Sequence, residues 1–235
     1  DPLWSRGLGD VYKRQSLSDL RKFKSEGRKF SCLTCYDASM AKAMELAEVD
    51  SILIGDSLGM AIQGHDSTLP VTVDDMAYHT AAVRRGNSHA FIMTDLPFMS
   101  YATLNDALQS AKKVMQAGAQ MIKIEGGAWL SESVRVLTQN GIPVCVHLGL
   151  TPQSVHVFGG YKLQARTREA ADQLIADCTA VVDAGAAILL LECVPAQLGQ
   201  EIAELFPNIP VIGIGAGHQT DGQVLVVQDL SLIHI

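Results

Sequence analysis

Met121-Ile-Lys-Ile-Glu125 decides the fold: it is a short apolar run with a lysine inside it and an acid at its end. Four other runs follow the same plan. Ser51-Ile-Leu-Ile leads into Gly55-Asp56-Ser57, Phe91-Ile-Met-Thr into Asp95, Pro143-Val-Cys-Val into His147, and Ile188-Leu-Leu-Leu into Glu192. Apolar runs of this length, closed by polar residues, read as buried parallel strands. In a closed α/β barrel, the strand ends and the loops after them build the active site. Five ionisable residues ending successive runs therefore point to one polar site at a barrel mouth.

Working outward, strand candidates begin near Phe30, Ser51, Ala90, Met121, Pro143, Ala187, Pro210 and Val224, the last expected over Val224–Gln228. Helical patterns fill most gaps. Within Ser16–Glu26, Leu17, Leu20 and Phe23 recur three apart with Gly27 as a stop, which predicts an N-terminal helix capping the barrel. Val73–Arg85 begins with acids and ends in Arg84-Arg85-Gly86, complementing the helix dipole. Thr103–Ala117 starts on a capping hydroxyl and ends at Gly118, Trp129–Gln139 stops at Asn140-Gly141, and Thr167–Asp183 stops at Gly185. Eight strands alternating with helices predict an α/β fold, a (β/α)8 TIM barrel over residues 16–230. So little chain follows strand eight that the barrel is expected to be truncated there, lacking its closing C-terminal helix. Residues 1–15 and 231–235 read as a non-native leader and tail, so His234 receives no functional reading. The long connection from Ser57 to Val73 reads as a lid.

With 235 residues, 48% of them hydrophobic, the chain can bury one large core. Its net charge of −7 is uneven: residues 1–29 hold eight of the eighteen Lys/Arg and four acids, leaving ten bases against twenty-one acids. No basic stripe with aromatics supports a nucleic-acid partner, and the acidic barrel disfavours polyanions. Five scattered cysteines indicate reduced thiols in a cytoplasmic protein. Cys32-Leu-Thr-Cys35 lacks a second pair, and its ends face opposite sides of a strand, so it reads as structural. No apolar run reaches the roughly 18 residues of a membrane span.

Asp56, Asp95 and Glu125 would repel one another at a barrel mouth unless a cation sat among them. Hard oxygen ligands without a His/Cys cluster suit Mg²⁺; the alternative is that each Asp caps a helix or shapes a turn. Lys123 shares a strand face with Glu125. A lysine inside a barrel needs a partner or an anionic ligand. It could hold a substrate carboxylate or stabilise an enolate, with a Schiff base as the rival role. His147 reads equally as a core histidine or a hydrogen-bonder to substrate. Glu192, after four aliphatics, has the setting that raises a carboxylate's pKa towards general-base use, or it forms a structural ion pair. Gly213-Ile-Gly-Ala-Gly217 lies where many barrels bind phosphate, although such glycines also serve tight turns. His65, His79, His89, His156 and His218 form no metal-ligand spacing.

At these residues the chain closely resembles the ketopantoate hydroxymethyltransferase (3-methyl-2-oxobutanoate hydroxymethyltransferase) family. The matching motifs run in order: Gly-Asp-Ser-Leu-Gly (55–59), Gly-His-Asp-Ser-Thr-Leu-Pro-Val-Thr (64–72), Asp-Leu-Pro-Phe-Met (95–99) and Lys-Ile-Glu-Gly-Gly (123–127). They continue with His-Leu-Gly-Leu-Thr-Pro-Gln-Ser (147–154), Phe-Gly-Gly-Tyr-Lys (158–162), Leu-Glu-Cys-Val-Pro (191–195) and Gly-Ile-Gly-Ala-Gly (213–217). The resemblance implies a Mg²⁺-dependent barrel enzyme of pantothenate and coenzyme A biosynthesis. It would transfer a one-carbon unit from 5,10-methylenetetrahydrofolate to 3-methyl-2-oxobutanoate, giving 2-dehydropantoate through a Mg-stabilised enolate. It implies Asp56 and Asp95 as metal ligands, with Glu125 joining directly or through water. The oxo acid would be held by Asp56, Ser57, Asp95 and Lys123, with His147 as a further contact, and Glu192 would accept the proton. A homo-oligomer, commonly a decamer, is implied, with small molecules rather than nucleic acid or membrane as partners. The family continues past strand eight into further helix, where this chain departs from it. Two rivals share the pattern: a Mg²⁺-dependent 2-oxo-acid lyase or phosphoenolpyruvate mutase type, and a non-catalytic assembly subunit. Retention of every expected polar residue argues against the latter. No local signal marks the folate contacts.

Overall fold

Eight parallel strands close in chain order into a barrel, the last pairing back on the first. The computed structural model describes residues 14–232; most of the expected leader and tail, His234 included, lies outside them. The strands are β1 (Phe30–Thr34), β2 (Ser51–Ile54), β3 (Phe91–Asp95), β4 (Met121–Glu125), β5 (Val144–Gly149), β6 (Ile188–Glu192), β7 (Val211–Ile214) and β8 (Gly222–Leu225). The helices are α1 (Leu17–Ser25), α2 (Ala38–Leu46), α3 (Leu58–Ala61), α4 (Val73–Gly86), α5 (Leu104–Ala117), α6 (Ser131–Gln139), α7 (Val155–Phe158), α8 (Arg168–Asp183), α9 (Ala196–Leu205) and α10 (Val227–Leu232). Local chemistry starts them where expected. Ser16 and Thr72 form capping boxes with Asp19 and Asp75, and the Thr103 and Thr167 hydroxyls accept from backbone N–H groups in the first turns of α5 and α8.

Alternation along each strand sorts side chains into two cores. Phe30, Cys32, Leu53, Phe91, Met93, Met121, Cys145, Ile188, Leu190, Ile212 and Val224 fill the barrel, while Ile52, Ile92, Ile122, Val146 and Leu189 face the helices. Cys32 and Cys35 fall into different cores, and both are free thiols. Helix α1 plugs the end where the strands begin: Leu20 and Phe23 join the inner core, and Lys24 Nζ meets Asp221 Oδ2 at 2.7 Å. With that end sealed by apolar packing, the polar layer falls at the opposite end, where the strands finish.

Strand eight begins two residues earlier than the expected Val224 and ends at Leu225 rather than Gln228, residues 227 and 228 belonging to a helix instead. The Phe30 ring lies against Gly222, and a Cβ there would sit 2.5 Å from the ring. Packing inside the barrel requires that glycine. The chain then enters α10, whose Val227 N–H donates to Thr34 Oγ1 at 3.0 Å and ties it to β1. The long connection after β2 carries α3 and is pressed onto the mouth. A Cβ at Gly59 would lie 2.7 Å from the Val71 side chain and 3.2 Å from the Ser67 carbonyl, and Thr68 and Val71 are buried. Among the described residues, no helix is long and apolar enough to cross a membrane.

Candidate active site

Strand register assembles the site. Asp95 on β3 is paired with Lys123 on β4, and Glu125 on β4 with His147 on β5. All four side chains point inward, as the alternation from the inner-core residues Met93, Met121 and Cys145 requires. Lys123 Nζ lies 2.9 Å from Asp95 Oδ1, off the hydrogen-bonding direction, and 3.4 Å from Glu125 Oε1. His147 bridges two carboxylates: Nδ1 is 3.1 Å from Glu125 Oε1, and Nε2 is 3.2 Å from Glu192 Oε2, the latter again poorly aligned. Asp56, just beyond β2, donates its backbone N–H to Asp95 Oδ2 at 3.0 Å. Ser57 Oγ is 2.8 Å from the Tyr36 hydroxyl. One cavity of about 460 Å³ is lined by Asp56, Ser57, Asp95, Lys123, Glu125, His147 and Glu192, every site residue expected from sequence. All the ionisable ones are buried except Glu192, whose side chain is 17% exposed.

The carboxylates on this floor titrate in opposite directions. Burial, and then the charges of Asp95 and Glu125, hold Asp56 well above the usual carboxylate range. Burial likewise raises Asp95, although Lys123 pulls against it. Burial pushes Glu125 up too, but Lys123 and His147 outweigh it and lower the group to about 2. Burial pushes Lys123 down, and the three acids overcome it, so the ammonium is held charged. Burial and Lys123 lower His147, while Glu125 and Glu192 outweigh them and raise it to about 9. The Schiff-base role, which needs a neutral amine, is disfavoured by this setting.

Gln153 and Tyr101 were not legible in sequence, yet they organise the acids. The Gln153 amide donates to Asp56 Oδ2 at 2.8 Å and to the Leu96 carbonyl at 3.0 Å, and its backbone N–H donates to Glu125 Oε2 at 3.0 Å. Its own oxygen accepts from the Tyr101 hydroxyl at 2.5 Å. Two acceptors on one side and a donor on the other fix the amide's orientation. His79 Nδ1, 2.7 Å from the Tyr36 carbonyl, supports the residue that meets Ser57. The Gly213–Gly217 turn contributes Ile214 to the cavity. A Cβ at Gly217 would sit 2.6 Å from that of Ala196, so close packing accounts for this glycine.

Among the described residues, no three His, Cys, Asp or Glu side chains are gathered in a geometry that could hold a metal. Both Glu125 oxygens are engaged, by His147 and Lys123 on one side and Gln153 on the other. Asp56 and Asp95 are different: among the described residues Asp95 Oδ1 meets only the off-line Lys123 ammonium, at 2.9 Å, and burial raises both groups towards their protonated forms. This under-neutralised pair of hard oxygen donors fits Mg²⁺, which uses one or two protein carboxylates and completes its shell with substrate and water.

Residues 14–234 match the family model described as ketopantoate hydroxymethyltransferase. Over 215 residues the chain is 92% identical to the 3-methyl-2-oxobutanoate hydroxymethyltransferase of Acinetobacter baylyi, covering 92% of this chain and 80% of that one. The protein of the same name from Psychrobacter sp. is 64% identical over 215 residues, 92% and 79% of the two chains. Among solved structures, phosphonopyruvate hydrolase in complex with oxalate and Mg++ superposes with a TM-score of 0.70 at 12% identity, over 94% of this chain and 85% of that one. The 2,3-dimethylmalate lyase, a PEP mutase/isocitrate lyase superfamily member, does so with a TM-score of 0.67 at 14% identity, over 93% and 83%. At those identities the likeness speaks for the barrel fold alone. The sequence matches carry further: the chain belongs to the ketopantoate hydroxymethyltransferase family.

Proposed function

We propose that this chain transfers a hydroxymethyl group from 5,10-methylenetetrahydrofolate to 3-methyl-2-oxobutanoate, giving 2-dehydropantoate for pantothenate biosynthesis. The observation that carries the reading is the division of the cavity floor. An under-neutralised Asp56/Asp95 pair and a buried ammonium lie on one side, and Glu192 stands apart behind His147. Family membership and 92% identity to a curated relative support the same activity.

Asp56 and Asp95 would hold Mg²⁺, with Glu125 reaching it through water because its own oxygens are taken. Bound there, the metal supplies a Lewis acid that draws electrons from the keto group and makes the C3–H removable. Lys123 and Ser57 orient the acid's oxygens, and the ammonium offsets negative charge growing on the keto oxygen. Glu192 takes the C3 proton on its carboxylate. Leu190, Ile214 and Val224 line the cavity beside it, an apolar surface that suits an isopropyl group and excludes water. Water cleaves both C–N bonds of the donor's methylene carbon, releasing it as formaldehyde while the tetrahydrofolate nitrogens take up the protons. The enolate carbon adds to that carbonyl, and the resulting alkoxide takes back the proton held by Glu192. Homo-oligomeric assembly belongs to the same reading.

Exchange of the C3 proton of 3-methyl-2-oxobutanoate into D₂O, with Mg²⁺ present, tests the assignment. Glu192→Gln is expected to slow it by about a hundredfold or more; exchange at the wild-type rate would overturn the role of Glu192. A panel of 2-oxo acids with and without methylenetetrahydrofolate separates this reading from a lyase, which would turn over without the folate.

A further inference from the structure

Ser57 lines the cavity, and among the described residues its hydroxyl has one hydrogen-bond partner, the Tyr36 hydroxyl at 2.8 Å. A hydroxyl carries a single hydrogen. What Ser57 offers the cavity, hydrogen or lone pair, therefore depends on which of the two oxygens donates to the other. An ionised 2-oxo acid presents only acceptor oxygens, so a lone pair turned towards it would repel it.

The surroundings make Tyr36 the donor. A phenol is a stronger acid than an alkyl hydroxyl and is the better giver of the two. Burial raises its pKa, against the pull of the Ser57 and Thr34 hydroxyls, so the hydrogen stays on through the neutral range. Thr34 Oγ1 already accepts the Val227 N–H at 3.0 Å. A backbone N–H can only donate, which leaves the Thr34 hydrogen for the Tyr36 oxygen beside it. Donation thus starts at α10 and runs one way, from Val227 through Thr34 and Tyr36 to Ser57, whose own hydrogen is left for the cavity.

The backbone holds both oxygens in place. The Cys35 N–H donates to the Leu53 carbonyl at 3.0 Å, extending the β1–β2 ladder to the residue before Tyr36, and His79 Nδ1 lies 2.7 Å from the Tyr36 carbonyl. A Cβ at Gly55 would sit 2.6 Å from Ser57 Oγ, so that glycine lets the hydroxyl fold back over the end of β2. Tyr36 itself is 2% exposed and is not part of the cavity lining, so it reaches a ligand only through Ser57.

We propose that Tyr36 is a positioning residue that fixes the Ser57 hydroxyl as a hydrogen-bond donor to the carboxylate of the bound oxo acid. The proposal rests on the function inferred above. Removal of the C3 proton belongs to Glu192, so Tyr36 contributes to holding the acid and leaves the proton transfer alone.

Isothermal titration of 3-methyl-2-oxobutanoate with Mg²⁺ present, and KM and kcat for C3-proton exchange, test this in wild type, Tyr36→Phe, Ser57→Ala and the double variant. Each single change is expected to weaken the oxo acid about tenfold. The exchange KM should rise to match while kcat stays within about threefold. In the double variant the loss should be that of Ser57→Ala alone, because Tyr36 acts only through that hydroxyl. Wild-type affinity in Tyr36→Phe overturns the proposal and leaves the function standing. So does a double variant in which the two losses multiply, since Tyr36 would then act by a route that a general structural role also explains. Should Tyr36→Phe not fold, replacing Tyr36 by 3-fluorotyrosine keeps the shape and strengthens the donor: tighter binding supports the proposal, and unchanged affinity overturns it. If wild type neither binds nor exchanges the oxo acid, the function and the proposal fall together.

Discussion

The β4–β5 side of the cavity floor and the β2–β3 side are buried alike, and their carboxylates behave oppositely. Glu125 has an ammonium, an imidazole and a backbone N–H against its two oxygens and is held as an anion. Asp56 has the Gln153 amide and the charges of two other acids, and is held towards its protonated form. Burial alone therefore does not set the charge of a carboxylate; its count of donors and cations does. Glu125 belongs to the scaffold of the floor, and the Asp56/Asp95 pair is the part that calls for a cation.

Lys123→Met breaks the contrast most severely. It strips the ammonium from Asp95 and Glu125, and removing one partner of a buried ion pair costs about 3–5 kcal/mol. Urea unfolding should show that loss; unchanged stability would mean that Lys123 does not hold the Glu125 anion. Asp56→Asn sharpens the contrast from the other side. It keeps an acceptor for the Gln153 amide but removes the strained charge. Turnover should fall roughly a thousandfold as metal catalysis is lost. Melting of the metal-free protein should be unchanged or higher, and the rise in melting temperature on adding Mg²⁺ should disappear. A lower metal-free melting temperature would show that the pair is already neutralised.

The smallest effect is a pH dependence of the metal-free protein. Because the folded-state pKa of His147 is raised to about 9, its contribution is fully present below its unfolded value of about 6.5 and is lost as pH rises through about 9, at most on the order of 3 kcal/mol. Melting temperature should decline across that window, and His147→Gln should flatten the decline. An equal slope in the variant would assign the effect to another group.

Much of this arrangement was legible in the sequence because a buried strand advertises itself. An ionisable residue ending an apolar run has few structural uses, and Asp95, Glu125, His147 and Glu192 all end strands, or nearly so, inside the barrel. Gln153 carries no such mark. It lies in a 3-10 turn, and its partner Asp56 is 97 residues away in the chain, a distance at which no periodic pattern reports contact. Tyr36 is invisible for the same reason, meeting Ser57 from 21 residues away. Strand eight was misplaced because no local pattern reports that the Phe30 ring packs on Gly222 and leaves room there for nothing larger. Composition and spacing report on elements; they do not report which loops meet across a mouth.

The Gln153 clamp has a thermodynamic consequence. One residue, just past β5, holds an oxygen of Asp56 beyond β2 and an oxygen of Glu125 on β4. Whatever orders the 151–158 segment therefore also sets the arrangement of the acids, and the coupling is reciprocal. A ligand that fixes the acids must tighten that segment by the same free energy with which the segment, once ordered, tightens the ligand.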